Sequence, residues 1–118
     1  MEILSPHVNR HVSDRDVAQL VLERLAENLP EEDTEKLMVV ALCESSFDSS
    51  AKNTANNNGT SDGGVFQINS VHKYSHDTLV NPENNTDIAI DIYNDSKLRP
   101  WYSSKECWSK GLSILKTL

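Results

Sequence analysis

Apolar residues recur at helical spacing in separate stretches of the chain. Val17, Leu20, Val21, Leu25 and Ala26 fall three and four positions apart, which predicts a helix over residues 14–28. Ser13 is a capping residue just ahead of it, Asp14 and Asp16 suit the positive first turn, and Asn28-Leu29-Pro30 ends it. Pro30 fits the first turn of a second helix, with Glu31, Glu32 and Asp33 near its positive end. That helix is expected to run to about Ser45, and its Leu37–Cys43 stretch is apolar almost all round, as in a central buried helix. Asn81-Pro82 reads as the cap and first turn of a third helix, where Ile88 with Ile92 and Ala89 with Tyr93 make two adjacent apolar rows over residues 83–96. Lys97–Pro100 stops it, and a last short helix over residues 104–116 turns Trp108, Leu112 and Leu115 inward. The helical pattern breaks in between. Asn53, Asn56, Asn57, Asn58, Gly59, Gly63 and Gly64 exclude a long helix over residues 48–64 and predict a short β-hairpin or only a loop. Val65–Ser70 is expected to make a short helical turn, residues 71–81 a further loop, and residues 1–12 an irregular lead-in. The expected fold class is α+β, mainly α.

With 118 residues the chain has material for one domain, 1–118, around one core. Hydrophobic residues make up 37%, so a small core leaves an open, polar surface. The net charge of −7 argues against nucleic acid as a partner, because such binding needs Lys and Arg to neutralise phosphates. It also argues against free diffusion onto anionic cell walls. No apolar run reaches the ~18 residues of a membrane span. The opening MEILSPHVNRH shows neither the basic nor the apolar region of an export leader. His7/His11 and His72/His76 stand at i, i+4, but both pairs lie in loop-like sequence without a third ligand, so neither a metal nor a cofactor is expected.

The chemistry concentrates in LCESSFDSSAKNTANNNGTSDGGVFQINS, residues 42–70. Glu44 ends an apolar run, where burial disfavours the charged carboxylate and raises its pKa. Asp62 stands among Ser, Asn and Gly, in surroundings that keep a carboxylate hydrated. Two acids in unlike surroundings suit a reaction that protonates one oxygen and stabilises a cation beside it, which is glycosidic-bond chemistry. Taken alone, Glu44 also fits an ordinary ion-paired helix end, and Asp62 an Asp-Gly turn.

The pattern E-S-x-F followed by S-D-G-G-V-F-Q-I-N-S resembles the lysozyme-like superfamily, which spans c-type lysozymes, soluble lytic transglycosylases and resuscitation-promoting factors. The resemblance is strong over residues 42–70, weaker to about residue 108 and absent over 1–30. It implies a lysozyme-like domain with a small hairpin or loop subdomain, with peptidoglycan glycan strands as partner. It implies Glu44 as general acid and Asp62 as nucleophile or electrostatic support, one residue further from Glu44 than in c-type lysozymes. Gln67 and Asn69 match cleft-lining amides, with bracing of their own loop as the alternative. Trp101 matches the tryptophan that packs on the catalytic acid, with core filling as the alternative. The Cys43-Glu44 pair and the later Trp101 and Cys107 resemble resuscitation-promoting factors, which implies a Cys43–Cys107 disulfide rather than two buried thiols.

After Ser70 the chain departs from the c-type pattern. Val71, His72, Lys73 and Tyr74 replace the tryptophan sugar platforms, leaving His72 or Tyr74 to stack on a sugar. That departure points to bacterial or bacteriophage relatives. Together with the acidic charge and the implied disulfide, it suggests an extracytoplasmic or virion-associated setting, within a larger virion or wall-crossing assembly. The expected activity is muramidase cleavage of the β-1,4 bond between N-acetylmuramic acid and N-acetylglucosamine. The alternatives are a lytic transglycosylase giving 1,6-anhydro products, and a non-catalytic glycan-binding or structural module.

Overall fold

A computed structural model of the protein describes residues 13–118, so the lead-in over 1–12 and the His7/His11 pair lie outside the described residues. Helix α1 covers Asp14–Asn28, and Ser13 Oγ accepts a hydrogen bond from the Asp16 N–H, as its capping sequence predicts. Helix α2 covers Glu31–Ser45 with Pro30 at its start. It packs against α1 on one side and against the C-terminal helix on the other. Its Leu37, Val40 and Ala41 are fully buried, which is the central position its apolar circumference demands. Helix α4, Pro82–Ser96, begins on Asn81, whose side chain accepts from the Asn84 N–H. Arg24 of α1 grips Asp87 of α4 with two parallel bonds of 2.8 and 2.7 Å, and the Tyr93 hydroxyl of α4 donates to Asp33 of α2. The buried apolar side chains form one cluster shared by these helices.

Helix α5, Lys105–Lys116, follows a 3-10 segment over Arg99–Ser104. Trp108 is buried and Leu112 packs on the core, but Leu115 is 41% exposed, contrary to its expected inward placement. The last turn of α5 extends past its neighbours, so helical phase alone did not bury it. Where α5 crosses α2, Cys43 and Cys107 form a disulfide with Cα atoms 6.0 Å apart. One turn away on each helix, a Cβ at Gly111 would lie 2.7 Å from Val39 Cγ1, so only glycine permits this approach. Because Val39 precedes Cys43 while Gly111 follows Cys107, the two helices run antiparallel.

Between α2 and α4 the chain makes a three-stranded antiparallel sheet in the order β1-β2-β3, where β1 is Lys52–Asn53, β2 Asp62–Gly63 and β3 Ile68–Asn69. Asn53 pairs with Asp62, and Asp62 with Asn69. The expected helical turn over Val65–Ser70 is instead the β2–β3 hairpin tip, followed by a 3-10 turn at Ser70–His72. The expected loop over 71–81 contains a one-turn helix, α3, at His76–Leu79.

The hairpin tip is unusual in pointing into the core: Val65 and Phe66 have no exposed surface. Buried backbone groups need partners, and here side chains of other elements supply them. Asn85 of α4 accepts from the Phe66 N–H at 2.8 Å and donates to the Gly63 and Leu79 carbonyls at 3.0 Å each. Ser45 of α2 donates to the Val65 carbonyl at 2.7 Å, and Trp101 Nε1 donates to the Phe66 carbonyl at 2.8 Å. Gly64, at φ +80°, passes so close to Asn85 and the Leu79 carbonyl that any Cβ would lie 2.1–2.2 Å from them. Asn85→Ala strips partners from three buried backbone groups at once and is expected to cost roughly 3 kcal/mol in urea unfolding. A loss below about 1 kcal/mol would show that water replaces the amide there.

Candidate active site

The end of α2 sets the first acid in place. Glu44 occupies its last turn, and Ser46 and Phe47 then adopt left-handed backbone at φ 54° and 63°. Two successive non-glycine residues in that region cost about 1 kcal/mol or more each. They turn the chain sharply away so that it crosses to the sheet. Ser45, beside Glu44, ties the helix end to the hairpin tip through the Val65 carbonyl.

Glu44 opens onto a cleft of about 550 Å³. One wall comes from the helices: Glu44, Ile92, Pro100, Trp101 and Ser103. The opposite wall comes from the sheet and its Asn-rich turn, with Asp62 near its middle and Val71 and His72 beyond. Glu44 is half-buried, and burial is the main force raising its pKa above the ordinary carboxylate value. The charge of Asp62 across the cleft adds to that rise, and a 2.6 Å bond donated by the Ser104 hydroxyl opposes it. Trp101 is 3% exposed, meets Phe66 edge to face at 6.1 Å between ring centres, and forms part of the same wall as Glu44.

Asp62 is held by three side-chain amides. Asn53 and Asn56 donate to Oδ2 at 3.1 and 3.0 Å, and Asn69 donates to Oδ1 at 2.9 Å. These bonds fix the direction in which the carboxylate faces the cleft. Between the two acids the chain makes a turn over Asn56–Gly59, whose Gly59 has φ +80° and nothing within 4 Å of where a Cβ would sit.

Glu44, Asp62, Gln67, Asn69 and Trp101 are therefore brought to one cleft. Gln67 and Asn69 also brace the loop. Gln67 Nε2 donates to the Ala51 and Gly64 carbonyls, which holds its own backbone at φ 50°. Asn69 donates to Thr60 and Asp62 and accepts from the Val71 N–H. Tyr74 is 44% exposed and is not part of the cleft lining; His72 is. Among the described residues, no three His, Cys, Asp or Glu side chains are placed to hold a metal ion, and no helix is long and apolar enough to cross a membrane. Sequence reasoning missed Ser104, Asn53, Asn56 and Asn85. Of these, only Asn85 carries a signal: it falls in phase with the apolar rows of Ile88, Ala89 and Ile92, where a polar residue is out of place.

Residues 29–103 match the family of the lysozyme-like domain. The fold is similar to that of a lysozyme from Equus asinus, 22% identical, with 84% of this chain and 86% of that one covered at a TM-score of 0.59. It is also similar to a lysozyme from Litopenaeus vannamei, 23% identical, with 79% and 80% covered at a TM-score of 0.52. At such identities the likeness is one of fold. No curated protein matches the chain.

Proposed function

This chain belongs to the lysozyme-like domain family, and on that premise we propose that it is a peptidoglycan-cleaving glycosidase acting on the β-1,4 bond between N-acetylmuramic acid and N-acetylglucosamine. The observation that supports this most is the half-buried Glu44, whose pKa burial raises, facing Asp62 across a cleft open to solvent. Glu44 donates its proton to the leaving glycosidic oxygen. Asp62, aimed by Asn53, Asn56 and Asn69, supports the positive charge that develops on the sugar ring, as nucleophile or as counter-charge. Glu44 then takes a proton from the incoming water. Trp101 keeps the acid's side of the cleft apolar, while Gln67 and Asn69 hold the opposite wall in shape. The Cys43–Cys107 bridge suits an oxidising compartment, where it persists.

Mass spectrometry of muropeptides released from purified walls tests the reaction type. Free reducing ends are expected. A 1,6-anhydro end, lighter by one water, would instead identify a lytic transglycosylase, and no released product would leave only glycan binding. Asp62→Asn is expected to lower kcat about 100-fold while the fold persists, the scale of a lost charge partner in the transition state. Near-normal turnover in that variant would remove Asp62 from the chemistry.

A further inference from the structure

Ser104 stands at the N-cap of α5, where a serine hydroxyl ordinarily bonds a backbone N–H of the first turn, yet its side chain makes no capping bond. The hydroxyl instead lies 2.6 Å from Glu44 Oε2 and 3.1 Å from the Trp101 carbonyl oxygen. A serine hydroxyl has one proton and two acceptor lone pairs, so it cannot donate fully to both. The Trp101 carbonyl has a second donor, Trp108 Nε1 at 3.0 Å, and both tryptophans are buried.

We infer that Ser104 is a positioning residue whose hydroxyl turns between Glu44 and the Trp101 carbonyl as Glu44 loses and regains its proton. This rests on the general-acid reading of Glu44. With Glu44 protonated and the cleft empty, the carboxyl O–H donates to Ser104 Oγ and Ser104 donates to the Trp101 carbonyl; when substrate binds, that O–H turns from Ser104 to the glycosidic oxygen. With Glu44 ionised, the Ser104 O–H swings to Glu44 Oε2. Ser104 keeps its own proton throughout. The proton that Glu44 gives up goes to the leaving glycosidic oxygen, and the one it regains comes from water. The Trp101 carbonyl is not stranded when Ser104 turns away, because Trp108 still donates to it. A fixed N–H donor would favour only the ionised acid. A hydroxyl serves both forms, which suits a group that must act first as acid and then as base. The capping bond that Ser104 forgoes is consistent with this use.

The test compares wild type, Ser104→Ala and Ser104→Thr by carbon-detected NMR titration of the Glu44 carboxyl and by the pH dependence of kcat on cell-wall glycan. Removing the hydroxyl takes away a bond stronger to the carboxylate than to the neutral acid. The Glu44 midpoint in Ser104→Ala should therefore rise by about one pH unit, with the alkaline limb moving upward alike. The same loss lowers kcat about tenfold. KM stays unchanged, because Ser103 rather than Ser104 lines the cleft. Ser104→Thr restores both readings. An unmoved midpoint in Ser104→Ala, or a threonine variant that behaves like alanine, overturns the inference. Because the titration needs no turnover, it stays separable from the enzyme reading, which fails if Glu44→Gln remains active or the wild type releases no product.

Discussion

Replacing Glu44 with Gln is expected to reduce glycan cleavage by about 10³-fold while making the protein more stable at neutral pH. The two effects share one cause. Burial raises the Glu44 pKa, so the folded protein binds this proton more tightly than the unfolded chain does. The stability this confers is fully present below the ordinary carboxylate range and is lost as pH rises through the raised folded value. Above that value the wild type carries an ionised, half-buried carboxylate that the amide variant lacks. The melting temperatures of the two proteins should thus coincide in acid and separate towards neutrality, with Glu44→Gln the higher. Gln keeps an acceptor for the Ser104 hydroxyl, so the comparison isolates the charge. Curves that stay parallel from acid to neutral pH would mean that Glu44 ionises as it does in water, and the general-acid role would fail with it.

Removing the disulfide, as Cys43→Ser with Cys107→Ser, should lower unfolding free energy by about 4 kcal/mol, the loop-closure estimate for its separation of 64 residues. That is a large part of the roughly 10 kcal/mol available to a domain of this size. The loss has a local side as well. Cys43 immediately precedes Glu44, and Cys107 follows the segment that carries Trp101 and Ser104. Freed from α2, that segment loosens, water reaches Glu44, and its raised pKa falls back. Cys107 is exposed, so a thiol reductant reaches the bridge and should reproduce the double variant without mutation. Urea midpoints and the alkaline limb of activity, each with and without reductant, measure both effects. A loss under about 1 kcal/mol would mean that the close α2–α5 packing at Gly111 holds the site unaided.

The helices were legible because their information is local. Ser13, Pro30, Asn81 and Pro82 mark starts through their own backbone preferences, and the apolar phase of Leu37–Cys43 identifies the buried helix. The partial burial and raised pKa of Glu44 were legible for the same reason, since an apolar run in sequence precedes it in the helix, whereas its proposed role rested on the resemblance of the flanking motif. The sheet was not. Strands of two residues are too short to show alternation, and they are held by pairing across the chain. The Val65–Ser70 tip misled because its apolar residues look like part of a helix. Its conformation is set by Ser45, Asn85 and Trp101, each distant in sequence. Ser104 was hidden in plain view, at a position where a serine already has a routine capping explanation. The Asn-rich stretch read as turn formers, whereas Asn53 and Asn56 also aim Asp62.

The groove has one rim that is free to diverge. Asn57 and Asn58 line it at the apex of a turn whose Gly59 projects into open space, while the neighbouring Asn53 and Asn56 hold Asp62. Selection, or a designed library, can lengthen or recompose that apex while both acids stay in place. The opposite rim offers no such latitude, because Trp101 there is at once wall and core.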